Sequence, residues 1–163
     1  MPTKILTVIL FASIQVARSG NPIIPGWYAD PEVRIFNQEY WIYPTFSAAY
    51  DQQTFLDGFS SRDLVTWTPH RHVLDISHMK WATRAVWAPS IVEHDGAFYL
   101  FVGANDIQSD QQLGGIGVAR ASHPDGPFDD YLGRPFDEEG VLALASAVQR
   151  LNPIGRPPIL ATE

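Results

Sequence analysis

Two stretches of this chain repeat each other. DPEVRIFNQEYWIYPT (30–45) aligns without a gap with APSIVEHDGAFYLFVG (88–103) when Pro31 is set on Pro89, an offset of 58 residues. Val33 then falls on Ile91, Tyr40 on Phe98, Trp41 on Tyr99, Ile42 on Leu100 and Tyr43 on Phe101. Each copy reads as a proline, a short apolar strand, a polar turn and an aromatic strand. The turns are Asn37-Gln38 and Asp95-Gly96, which suit tight hairpins. A third strand follows in each copy, TFLDGFSS (54–61) and GGIGVARAS (114–122). A fourth closes it, LVTWTPH (64–70) and GPFDDYL (126–132). A unit of four antiparallel strands at this period is the mark of a β-propeller blade. Strand spacing alone also admits a plain β-sandwich. Either way the chain is all-β, and its five Trp, six Tyr and nine Phe, spread between turn residues, agree.

The two ends differ from this middle. Met1–Lys4 is a short basic start, Ile5–Ala17 is an apolar run, and Ala17-Arg18-Ser19 fits a small-x-small cleavage site. Residues 1–19 therefore read as a secretory signal peptide, too short to span a bilayer. A buried first strand is the alternative. From Asp137 onward aromatic residues cease. Val141, Leu144, Ala145 and Val148 sit at helical spacing, and Asn152-Pro153 ends the pattern. The expected organisation is a signal peptide at 1–19, a two-blade domain at 20–136, and at 137–163 a helix-like C-terminal tail that becomes disordered.

Without residues 1–19 the 11 basic residues fall to 9 against 18 acidic, a net charge of −9, with Lys80 the only lysine. That balance argues against nucleic acid and against anionic membranes as partners, since both require basic patches. There is no cysteine, so an exported chain of this kind is held by core burial alone. The oligomeric state is not legible.

Several residues carry possible chemistry. Asp30 precedes Pro31, and on that evidence alone it reads as a turn residue rather than as a carboxylate aimed at substrate. Asp106 and Asp110 read as a solvated loop. His70 and His72 alternate along one strand, but no third ligand completes a metal site. Trp27 and Trp87 fit core or blade packing. Serine-nucleophile, phosphate-loop and zinc-helix motifs are absent.

NPIIPGWYADPE, then RAVWAPSIVEHDGAFYLFVGANDIQ, then GGIGVARASHPDGPFDDYLGRPF, together resemble the opening of glycoside hydrolase family 43. The likeness runs from about Asn21 to Phe136. It implies a secreted five-bladed β-propeller of arabinofuranosidase, β-xylosidase or arabinanase type, acting on arabinan- or arabinoxylan-type carbohydrate. It also implies that Asp30 is the general base. Trp27 and Trp87 become candidates for stacking on a sugar ring, with core roles still open.

The family takes its general acid, a Glu, and a pKa-tuning Asp from later blades, the latter in an Ile-Asp-Pro-like motif. No such motif follows Phe136, and Glu138 and Glu139 match none. An axial calcium, which family members often hold through a late-blade His, is unsupported here, and no cofactor is expected. The expectation is a truncated, inactive member. A carbohydrate-binding remnant or a fragment that does not fold are the alternatives.

Overall fold

The computed structural model describes residues 20–105 and 114–136. The predicted leader, the Asp106/Asp110 loop and the predicted helix-like tail lie outside these residues. Two four-stranded antiparallel sheets make up the rest. The first runs β1 (Tyr28–Phe36), β2 (Glu39–Phe46), β3 (Phe55–Ser61) and β4 (Thr68–Asp75), side by side in chain order. The second repeats this with β5 (Val86–His94), β6 (Ala97–Ala104), β7 (Gly115–Ala121) and β8 (Asp129–Asp130). These are two propeller blades, joined through a 3₁₀ turn at Ile76–His78 that Asp75 caps at Ser77 N–H.

The hairpins form where the sequence places them. Asn37 and Gln38 have φ of 50° and 64°, and Asp95 and Gly96 have 50° and 70°. Two successive left-handed residues twist a two-residue loop in the same sense as its strands, and Asn, Asp and Gly tolerate that conformation best.

The fourth strand differs from expectation. It begins at Thr68 rather than Leu64 and continues to Asp75. The reason is local. Asp63 Oδ1 accepts from the Val65 and Thr66 N–H groups, and Ser61 Oγ accepts from Leu64 N–H. Those donors are spent on a turn and cannot enter a ladder. The same Thr66 and Val65 bonds hold the Asp63 carboxyl down at about 2. In the second blade the fourth strand shrinks to two residues, because Gly126 has φ 75° and its neighbour Pro127 offers no N–H.

One face of each blade packs against the other blade. Along β6, Phe98, Leu100 and Val102 are buried while Tyr99, Phe101 and Gly103 between them are half-exposed, the period of two that marks a strand with one covered face. From blade 1 the covered face presents Phe36, Trp41 and Tyr43. Phe36 meets Phe98 edge-to-face with centroids 5.0 Å apart. Main-chain bonds lock the blades together, Val86 N–H to Gln53 O at 2.9 Å and Phe128 N–H to Val73 O at 2.8 Å.

Tyr43 is fully buried between the blades, and its hydroxyl donates to Pro124 O at 2.7 Å. Burial, with a smaller push from Asp125, raises its pKa far above the ordinary tyrosine value of 10. The folded chain thus keeps a proton that the unfolded chain releases. This contribution to stability is full below about pH 10 and is lost progressively above it. Tyr43→Phe is expected to cost about 1–2 kcal/mol near neutrality, by leaving a carbonyl unpaired. It should also flatten the fall of stability between pH 10 and 11, measured by urea titration.

Candidate active site

Asp30 and Pro31 lie opposite the single residue Pro44, so β1 carries a bulge between Ala29 and Glu32. Blade 2 repeats the device. Ala88 and Pro89 lie opposite Val102, with the same shift between Trp87 and Ser90. Asp30 has φ 46° and Ala88 has φ 45°, both in the left-handed region where non-glycine residues are uncommon. A proline fits beside such a kink because it has no N–H to place in the ladder. The bulge is therefore a feature of the blade, present whether or not a carboxylate occupies it. In blade 1 it turns an exposed Asp outward from the end of the innermost strand.

Thr45 fixes that carboxylate. Its hydroxyl donates to Asp30 Oδ2 at 3.1 Å and accepts from Ala88 N–H at 2.7 Å. A single buried hydroxyl thus ties the two bulges together across the blade boundary and aims Asp30 with both backbones as its frame. Trp87, adjacent to Ala88, is half-buried. Its indole lies over Gly103, where a Cβ would overlap the ring, and it meets the Tyr50 ring at 5.7 Å. Trp27 precedes β1 and is 83 % exposed, with its carbonyl accepting from Ser47 N–H at 3.0 Å. Asp30, Trp27 and Trp87 thus lie toward one end of the paired sheets. Sequence reasoning missed Thr45, which signals only as a polar residue ending an aromatic strand.

Other polar groups are committed elsewhere. Glu32 pairs with Arg34 and accepts from Ser90 Oγ at 3.3 Å, and Arg34 Nε donates to Ile91 O at 3.1 Å, so this network stitches β1 to β5. Asp57, 1 % exposed, accepts from Arg71 at 2.6 Å, Tyr28 OH at 3.1 Å and His72 N–H at 3.0 Å. The Tyr28 phenol is raised above its usual pKa, by burial first, against the lowering Arg71 bond and with a further push from Asp57.

His70 and His72 do not converge. A register shift between Leu56 and Gly58 breaks the alternation. His70 meets Ser60 Oγ at 2.9 Å, whereas His72 stacks on Phe55 and faces Asp75. Among the described residues no three His, Cys, Asp or Glu side chains gather into a metal-binding group.

Two repeated four-stranded blades define a segment of a β-propeller, and comparison with known proteins agrees. Residues 19–141 match glycosyl hydrolases family 43, and the chain belongs to that family, whose members are five-bladed β-propellers. Beta-D-galactofuranosidase xynD of Aspergillus niger is 45 % identical over 140 residues, covering 78 % of this chain and 39 % of that protein. Xylosidase/arabinosidase 43A of Humicola insolens is 31 % identical over 122 residues, 66 % of this chain and 36 % of that one. Among solved structures, CoXyl43, a beta-xylosidase/alpha-arabinofuranosidase from a compost metagenome crystallised with xylotriose, superposes with a TM-score of 0.57. It is 26 % identical over 70 % of this chain and 40 % of its own. This chain spans less than half the length of each of these relatives.

Proposed function

We propose that this chain carries the general-base half of an inverting glycosidase for arabinose- or xylose-containing plant cell-wall glycans, and that alone it does not turn over. The carrying observation is Asp30, exposed at the bulge with one oxygen held by Thr45. In the reaction the Asp30 carboxylate takes a proton from water as that water attacks the anomeric carbon. The bond to the leaving oxygen breaks on the opposite face, and that oxygen needs a proton from a second carboxyl roughly 6.5–9.5 Å away. Asp57 is buried and tied to Arg71, and Glu32 is paired with Arg34, so neither is offered for that task. Export belongs to the same reading and rests on the basic start, the apolar run and the Ala17-Arg18-Ser19 site.

The test takes chain secreted by a eukaryotic host, with its N-terminus expected at Gly20. It is assayed on xylotriose and on nitrophenyl α-L-arabinofuranoside, β-xyloside and β-galactofuranoside, the last because of the Aspergillus niger relative. No release above the blank is expected. Turnover that Asp30→Asn abolishes would overturn the inactivity and leave Asp30 as base. Turnover that survives Asp30→Asn would overturn both. The exposure of Trp27 favours a second reading, a non-catalytic sugar-binding piece. Calorimetric titration with arabino-oligosaccharides separates the two, since no heat at millimolar sugar removes the binding reading.

A further inference from the structure

The repeat that builds the blades also says what their outer faces fit. In the 58-residue alignment, Trp41 and Tyr43 correspond to Tyr99 and Phe101. Trp41 and Tyr43 are buried because blade 2 covers them, and the equivalent face of blade 2 stays open. That open face runs from Val92 on β5 across Tyr99 and Phe101 to Ile116 on β7, following the cross-strand pairs Val92–Tyr99, Phe101–Val118 and Gly103–Ile116. Val92 and Ile116 are 46 % and 50 % exposed, while the rings of Tyr131 and Phe136 and the Arg120 guanidinium pack on Tyr99 and Phe101, and Val118 between them is buried.

The opposite end of the molecule mirrors this. Ile91 is 1 % exposed against blade 1, and its counterpart Val33, on the outer face of blade 1, is 53 % exposed. Ile35 beside it is 62 % exposed. The chain thus presents at one end a copy of the surface that blade 1 offers to blade 2. At the other end it presents a copy of the surface that blade 2 offers in return. Both are apolar, and both continue an interface already formed within the molecule.

We propose that a second copy of this chain docks head to tail, the outer face of its blade 1 (Val33, Ile35) against the open face of blade 2 (Val92, Ile116), as blade 2 docks on blade 1 within each copy. The two surfaces differ, so the contact is heterologous and a dimer retains one free face of each kind.

Sedimentation velocity of residues 20–163 at about 50 µM, in the micromolar range of ordinary interfaces, is expected to show a dimer or a larger closed assembly. Ile116→Lys and Ile35→Lys each place a charge on one of the two faces, and each alone should sediment as a monomer. An equimolar mixture should recover a dimer, because each variant supplies the face that the other lacks. Both sites are exposed, so the near-ultraviolet circular dichroism of each variant should match the parent. If either variant misfolds, Val92→Lys and Val33→Lys make the same pair. A monomeric parent at all concentrations overturns the proposal, since the faces are then covered within one chain or left bare. Loss of association in Ile116→Lys but not in Ile35→Lys also overturns it, because that pattern means like faces meet.

Discussion

Asp57→Ala is expected to destabilise the folded chain by about 3 kcal/mol. Three donors converge on this buried carboxylate from three places: Tyr28 at the start of β1, Arg71 on β4, and the His72 main chain where β4 bends at φ 52°. Arg71 is itself 61 % exposed, so its guanidinium returns to water when the carboxylate is gone, and its surface ion pair adds little. The cost falls on the His72 N–H and the Tyr28 hydroxyl, which lose a charged acceptor in a half-buried setting. Against a total of roughly 5–15 kcal/mol for an ordinary domain, a loss of 3 kcal/mol lowers Tm by on the order of 10–20 °C. Asp57→Asn keeps an acceptor for His72 and should fall between parent and Ala variant. Guanidinium titration followed by tryptophan fluorescence reads all three. A midpoint for Asp57→Ala within error of the parent would mean that the bulge in β4 holds without its carboxylate.

The repeat and the hairpins were legible in the sequence because each rests on short-range rules, whereas Trp27, which fits core packing by residue type, is 83 % exposed. Asn37-Gln38 and Asp95-Gly96 specify turns locally, whereas β6, AFYLFVGA, has no polar residue to announce which of its faces is covered. The fourth strand of blade 1 was misread for an equally local reason. Asp63 and Ser61 intercept the N–H groups of Leu64, Val65 and Thr66, so a stretch with good strand composition becomes a turn. His70 and His72, alternate residues along one strand in the sequence, part company for a longer-range reason, a register shift between β3 and β4 that composition does not show.

Asp30 stands out as a candidate base only through likeness to a family, since Asp before Pro is an ordinary turn signal. What the residues could not disclose is that the turn is a bulge shared by both blades, and that Thr45 joins the two. That link depends on a hydroxyl meeting a main-chain N–H 43 residues away. The buried Asp57 likewise depends on partners brought together from β1 and β4, 29 and 14 residues distant.

Transplanting residues 21–136 in place of the matching segment of the Aspergillus niger relative supplies the rest of the propeller to this chain's own blades. The 45 % identity across that region makes the exchange feasible. The chimera carrying Asp30 should hydrolyse that relative's substrate. Asp30→Asn in the chimera removes the proton acceptor and nothing else, because the amide oxygen still accepts the Thr45 hydroxyl. General-base catalysis contributes roughly 10²–10⁴-fold, so kcat should fall by that factor while KM and Tm stay near those of the chimera. The direct measurement is kcat of the two chimeras side by side. A fall of at least about a hundredfold is the predicted result, and a kcat for Asp30→Asn equal to that of the Asp30 chimera would contradict the assignment of Asp30 as the base.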